Sequence, residues 1–148
     1  MPVARLLAGI VVALVAPPAC ALDLTGPWAI HLSFAPNPAG FPITVTQSGS
    51  SLTMTVSSGA TLSGTIDSAT GAFTVAGGDP LTFSCAQLTG VAAPDGNSMA
   101  GTYLAGMADC GSRPPTCTCD FQSSFGFTAC RSGTGLDCCG DEVRRSST

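Results

Sequence analysis

Cysteine is the residue type in this chain with the most chemistry to offer. Eight are present, and those after residue 21 are Cys85, Cys110, Cys117, Cys119, Cys130, Cys138 and Cys139. Cys117-x-Cys119 and Cys138-Cys139 together supply enough thiols for a zinc or copper(I) ion. Their spacing departs from the roughly two-to-four-residue ligand spacing of structural zinc sites. All seven are read as disulfide candidates, the state that cysteine takes outside the cytosol. An odd total leaves one thiol over or pairs it between chains, and the pairing stays open. His31 is the only histidine. It falls on the polar face of an expected first strand with no Ser or Cys to activate, so it reads as an exposed bystander rather than a general base. Asp67, Asp79 and Asp95 fall in turns, where an Asp carboxylate binds the turn's own backbone, and they are too sparse for a calcium loop. No paired carboxylates, phosphate loop or nucleophile elbow is present. The expectation is a protein without catalysis, metal or cofactor.

The disulfide reading depends on export, and the N-terminus supplies the signal. Arg5 gives a short positive region, Leu6 to Ala16 an apolar run, and Pro17-Pro18 a break before the small-x-small site Ala19-Cys20-Ala21. The apolar run is too short to span a bilayer, which takes about 20 residues. Residues 1–21 are therefore expected to be a signal peptide, with a secreted or periplasmic chain starting at Leu22 and no transmembrane anchor after processing. A lipoprotein anchored through Cys20 is the alternative, with Pro17 where a lipobox wants an aliphatic residue. Charge is sparse: five Arg, no Lys and nine acids give a net charge of −4. No basic stripe exists to neutralise phosphates, which argues against nucleic acid.

The elements that must position these residues read as strands. In Thr61–Val75, Leu62, Gly64 and Ile66 alternate with hydroxyl residues, an Asp67–Gly71 turn follows, and Phe73 and Val75 resume the alternation. This is an antiparallel hairpin with one apolar and one hydroxyl face. The same grammar gives a strand near 27–35 (Trp28, Ile30, Leu32, Phe34), one from Phe41 (Ile43, Val45) and one around Leu52, Met54 and Val56. Gly77-Gly78-Asp79-Pro80 reads as a breaker cluster. Residues 81–92 read as a sixth strand that slips near Cys85-Ala86. A turn at Pro94–Asn97 leads into a seventh strand marked by Met99, Gly101 and Tyr103. Residues 105–120 read as a cysteine-rich loop, 121–131 as an eighth strand, and 132–148 as an irregular tail. Leu62-Ser63-Gly64 recurs as Leu88-Thr89-Gly90, which suggests a meander. The fold class is all-β. A domain over 22–131 forms an eight-stranded antiparallel up-and-down barrel, because closure removes both raw edges of the sheet. A two-sheet sandwich is the alternative.

Leu24-Thr25-Gly26-Pro27-Trp28 running into a strand resembles the start of the lipocalin and avidin (calycin) group of small barrels. The resemblance implies that Trp28 plugs the closed end and that a basic residue after the last strand packs across it. Arg131 stands at that position. Phrases such as Leu62-Ser63-Gly64-Thr65 and Met99-Ala100-Gly101-Thr102-Tyr103 are similar to the avidin side of the group. The single Trp gives no support to biotin binding, which those proteins build from several.

The functional expectation is an exported, non-catalytic binding protein for a small hydrophobic molecule. Ile43, Val45, Met54, Val56, Phe73, Val75, Met99 and Tyr103 would line its interior. The inward glycines Gly64, Gly90 and Gly101 would either leave room there or permit tight coiling of the strands, with coiling the leading explanation. The competing reading is a structural or surface-interaction module with a filled core, or an inhibitor presenting the 105–119 loop. Interior volume separates the two.

Overall fold

A computed structural model describes residues 21–35, 37, 39–79, 84–109 and 118–133. Eight strands follow one another: β1 Gly26–Leu32, β2 Phe41–Ser48, β3 Ser51–Val56, β4 Thr61–Ile66, β5 Ala72–Asp79, β6 Ser84–Ala92, β7 Ser98–Asp109 and β8 Thr118–Arg131. Each pairs antiparallel with the next, and β8 pairs with β1, so the sheet closes as an up-and-down barrel. The sandwich alternative is excluded by that closure. The expected alternation is the reason the sheet curls. Trp28, Ile30, Ile43, Val45, Leu52, Met54, Leu62, Ile66, Phe73, Val75, Leu88, Met99 and Phe127 point to one shared core and are buried, whereas the intervening Thr44, Thr46, Thr65 and Thr74 are exposed. Each large apolar side chain so buried contributes about 1.5–3 kcal/mol relative to exposure.

The hairpin turns are held by their own side chains. Asp67 accepts a hydrogen bond from the Ala69 N–H at 2.9 Å, and Asp95 accepts one from the Asn97 N–H at 3.0 Å. The Asp67 carboxyl is pulled below its ordinary range chiefly by that Ala69 bond.

Inward glycines explain the tight coil. A Cβ on Gly64 would run into the Thr74 carbonyl, one on Gly90 into the Ala100 carbonyl, and one on Gly101 into the Thr89 carbonyl and the Gly90 Cα. The room that a side chain would need is filled by the neighbouring strand's backbone. These glycines therefore allow close strand approach and do not open a cavity.

Three expectations need correction. Gly77, Gly78 and Asp79 do not break the chain but continue β5, because β6 supplies ladder partners in register, Gly77 with Ala86 and Gly78 with Cys85. The sixth strand begins at Ser84, and 81–83 lie outside the described residues. The cysteine-rich loop is shorter than 105–120. β7 runs through Ala105 to Asp109 and β8 starts at Thr118, with a register shift beside Ala105 and Gly106 where Gln122 is the extra residue. That bulge hides the pairing from a period-two reading. Finally, His31 is half-buried rather than fully exposed. Its ring lies against Gly40, where a Cβ would come within 2.8 Å of Nε2.

Of the cysteines, Cys85 and Cys119 form a disulfide. Cys130 is buried in β8. It sits near the base of β8, 11 residues from Cys119 on the same strand, which is roughly 36 Å at about 3.3 Å per residue. Cys110, Cys117, Cys138 and Cys139 lie outside the described residues, as do residues 1–20, Cys20 among them, and 134–148.

Substituting Gly101 by Val tests the coil. Forcing a branched side chain against the Thr89 carbonyl is expected to lower the unfolding free energy by about 1–3 kcal/mol. The outward Thr102→Val, one residue on, is expected to change it by less than about 0.5 kcal/mol. Urea midpoints of the two variants against the parent chain provide the comparison.

Candidate functional site

The two ends of the barrel are built differently, and the closed end is the more tightly specified. β1 and β8 meet with Trp28 directly opposite Arg131. Trp28 is 1% exposed, and its indole Nε1 donates to the Leu24 carbonyl at 2.8 Å. The Arg131 guanidinium carbon lies 5.3 Å from the indole centroid, within cation–π reach. Its Nε donates to the Gly96 carbonyl at 3.0 Å, Nη1 to Thr25 at 2.9 Å and Nη2 to Asp23 at 2.5 Å. One side chain thus ties together the segment before β1, the β6–β7 turn and the end of β8. The planar fork of donors is what makes Arg suited to this work.

Gln47 does the matching job from β2. Its side-chain oxygen accepts the Leu24 N–H at 2.9 Å, and its amide nitrogen donates to the Leu22 and Gly49 carbonyls at 2.8 and 3.2 Å. Its backbone N–H donates to the Thr25 hydroxyl at 3.1 Å. Leu24, completely buried, is drawn under the barrel by these bonds. Nothing local in the sequence marked Gln47, because its partners Leu22, Leu24 and Thr25 lie more than 20 residues away.

Six of the eight expected lining residues, Ile43, Val45, Met54, Phe73, Val75 and Met99, belong to the packed core at 0–6% exposure. A void large enough for water would register as exposed surface on its walls, so the centre of the barrel around these side chains is filled. Val56 and Tyr103 are only partly buried and lie toward the open end.

That end has a chemistry of its own. After β1 the chain makes a tight turn, with the Ala35 N–H bonded to the Leu32 carbonyl at 3.1 Å and the Ser33 N–H to Gly126 at 3.0 Å. The turn folds Phe34 over the mouth. The Phe34 ring centre lies 4.2 Å from that of Phe125 and 6.2 Å from that of Tyr103, and the latter two are cross-strand partners with centroids 6.4 Å apart. Phe34 is 50% exposed and Phe41, at the top of β2, 40% exposed. Leu32 and Val56, at the same end of β1 and β3, add two partly buried apolar side chains. Aromatic rings presented together in this way offer a stacking and dispersion surface of about 150–250 Å² each. Phe34 was read as a strand residue; the turn that swings it over the mouth has no Gly or Pro signal.

β5 to β8 continue beyond the rim, and the disulfide clamps this extension. Cys85 pairs with Gly106 and Cys119 with Ala108, so the bridge spans β7. The two Cα atoms are 6.0 Å apart, whereas strands two places apart in a flat sheet lie at about 9.6 Å. The sheet is therefore creased along β7. Gly106 sits in the crease, where a Cβ would strike the Asp120 carbonyl. Beside the bridge is an open cleft of about 430 Å³ lined by Gly77, Gly78, Ala86, Ala108 and Phe121 among others. The connections 80–83 and 110–117 adjoin it and lie outside the described residues, so the cleft is left without a role. Cys119 is bonded to Cys85, which removes it from any metal set with Cys117, Cys138 and Cys139.

No protein-family model, curated protein or solved structure matches this chain. The site must be read from its own geometry.

Two outcomes test the closed end. Arg131→Ala is expected to cost about 2 kcal/mol, from charged hydrogen bonds and the ring contact together, and to shift the fluorescence of Trp28 to the red as water reaches the indole. Unchanged emission and an unchanged midpoint would contradict the role given to Arg131. Asp23 gives a pH signature. Its carboxyl is held below the ordinary 3.8, first by the Thr25 backbone N–H and then by the Thr25 hydroxyl, with the Arg131 charge a smaller contributor against a small burial cost. A depressed folded pKa means that the contribution is present above 3.8 and is lost as pH falls through the lower folded value. The stability difference between the parent chain and Asp23→Asn is therefore expected to be flat above about pH 5 and to shrink below 3.8 in acid titrations.

Proposed function

We propose that the protein is an exported, non-catalytic binding barrel that takes a small hydrophobic molecule at its open end, against Phe34, Tyr103 and Phe125. The observation that carries this reading is the stack of three rings on an apolar rim, with Phe34 half exposed above a core that is already filled. Isolated apolar residues on a surface are ordinary, but grouped aromatics at the mouth of a closed barrel are where such a fold takes ligands. The Cys85–Cys119 bridge is compatible with a secreted or periplasmic setting. The meander of eight strands and the Trp28–Arg131 base support a kinship with calycin barrels, on topology and two residues. In this reading Val56 and Tyr103 meet the ligand, and the six deeper residues hold the floor on which it rests.

A filled core also favours a second reading, a surface-interaction module that carries no small molecule. Native mass spectrometry of the exported protein separates them. A co-purifying small-molecule mass that is lost in Phe34→Ala supports the binding reading. A clean mass for the chain alone, with no uptake of an added hydrophobic dye, supports the interaction module. Phe34→Ala is expected to weaken dye binding at least fivefold while leaving Trp28 emission unchanged, because Phe34 lies outside the core.

A further inference from the structure

Resting on the binding reading, we infer that the open end selects uncharged aromatic molecules and rejects anions such as fatty acids. The rim residues Leu32, Phe34, Phe41, Val56 and Phe125 carry no charge, and Tyr103 adds a hydroxyl that makes no hydrogen bond to another described residue. Arg131 is the only Lys or Arg among the described residues, and its guanidinium is fixed at the opposite end. The six residue steps of β8 from Phe125 to Arg131 put roughly 20 Å between that charge and the rim at about 3.3 Å per residue. Beyond the rim, Asp109 ends β7 and Asp120 is the third residue of β8, both exposed. His31 belongs to the other face of β1, against Gly40. An anion entering the rim would give up water and meet no compensating cation among the described residues. A neutral ring gives up little water, stacks on Phe34 and Phe125, and finds one hydroxyl to orient a polar substituent.

Two dyes that share a naphthylamine skeleton test this directly: neutral N-phenyl-1-naphthylamine and its anionic sulfonate relative, 8-anilinonaphthalene-1-sulfonate. Titrated by fluorescence into the full chain at pH 7 and low salt, the neutral dye is expected to bind at least tenfold more tightly. Phe125→Ala is expected to weaken the neutral dye at least fivefold, with Trp28 emission reporting that the barrel is intact. Tyr103→Phe, which keeps the ring, is the milder control if Phe125→Ala fails to fold, and it is expected to retain dye binding. Equal or tighter binding of the sulfonate overturns the inference while the binding reading stands. Failure of both dyes to bind overturns the binding reading itself.

Discussion

Closure of the barrel rests on one seam, the meeting of β1 and β8, and the seam rests on Arg131 lying over Trp28. Every other strand pair joins sequence neighbours through a short connection, so its two halves find each other locally. The β1–β8 pair joins residues about a hundred positions apart, and the entropy of closing that loop must be offset by what forms there. Five paired residues of ladder are a modest return. The guanidinium adds three bonds to backbone carbonyls that come from two other parts of the chain. It thereby locks the register of the seam and seals the base in the same contact. Gln47 repeats the device from β2, so the segment around Leu24 is held from both sides.

A barrel closed this tightly has consequences for where function can reside. Gly64, Gly90 and Gly101 let neighbouring backbones approach until no inward Cβ would fit, and the space left inside is taken by Val45, Met54, Val75, Phe127 and their neighbours. Packing at this density leaves no room for a guest without displacing side chains at a cost in the range of a core mutation. On the proposed binding reading, a ligand would therefore meet the barrel at the rim, where the apolar interior meets water.

Much of this was legible in the chain itself. Period-two alternation from Trp28 to Val75 named the inward residues, because a half-buried strand has no other way to satisfy both faces. The resemblance of Gly26-Pro27-Trp28 drew attention to Arg131 before any contact was known. What escaped is equally physical. Gly77 to Asp79 has poor strand propensity, and only the register offered by β6 makes it a strand, a tertiary effect that local rules do not contain. The extra residue Gln122 shifts the alternation of β8 out of phase with β7, so the strand below it looked like loop. Gln47 is one polar residue in a β-strand with partners far along the chain. Phe34 followed the alternation but left the strand. The candidate site escaped for a related reason. Alternation reports which way a side chain points, but not whether the space that it points into is already occupied.

The creased extension shows why a bridge is needed where the barrel ends. Within the closed part each strand has two neighbours, whereas β8 from Thr118 to Phe125 is paired along β7 alone in the described ladder. A ribbon that leaves the barrel loses the packed core that fixed its curvature, and its freedom to flatten grows with its length. The Cys85–Cys119 bond, closing 34 residues, restricts the unfolded chain by roughly 3–4 kcal/mol on the loop-entropy estimate. It also holds β6 and β8 together over Gly106, which imposes on the ribbon a bend that no buried side chains enforce. Placing the only described disulfide there, rather than at the hydrogen-bonded base, is economical. The base is already held by Arg131 and Gln47, and a covalent tie adds most where noncovalent packing runs out. That tie also keeps β7 and β8 from splaying just beyond Tyr103 and Phe125. The spacing of the aromatic rim thus depends on a bond made well above it.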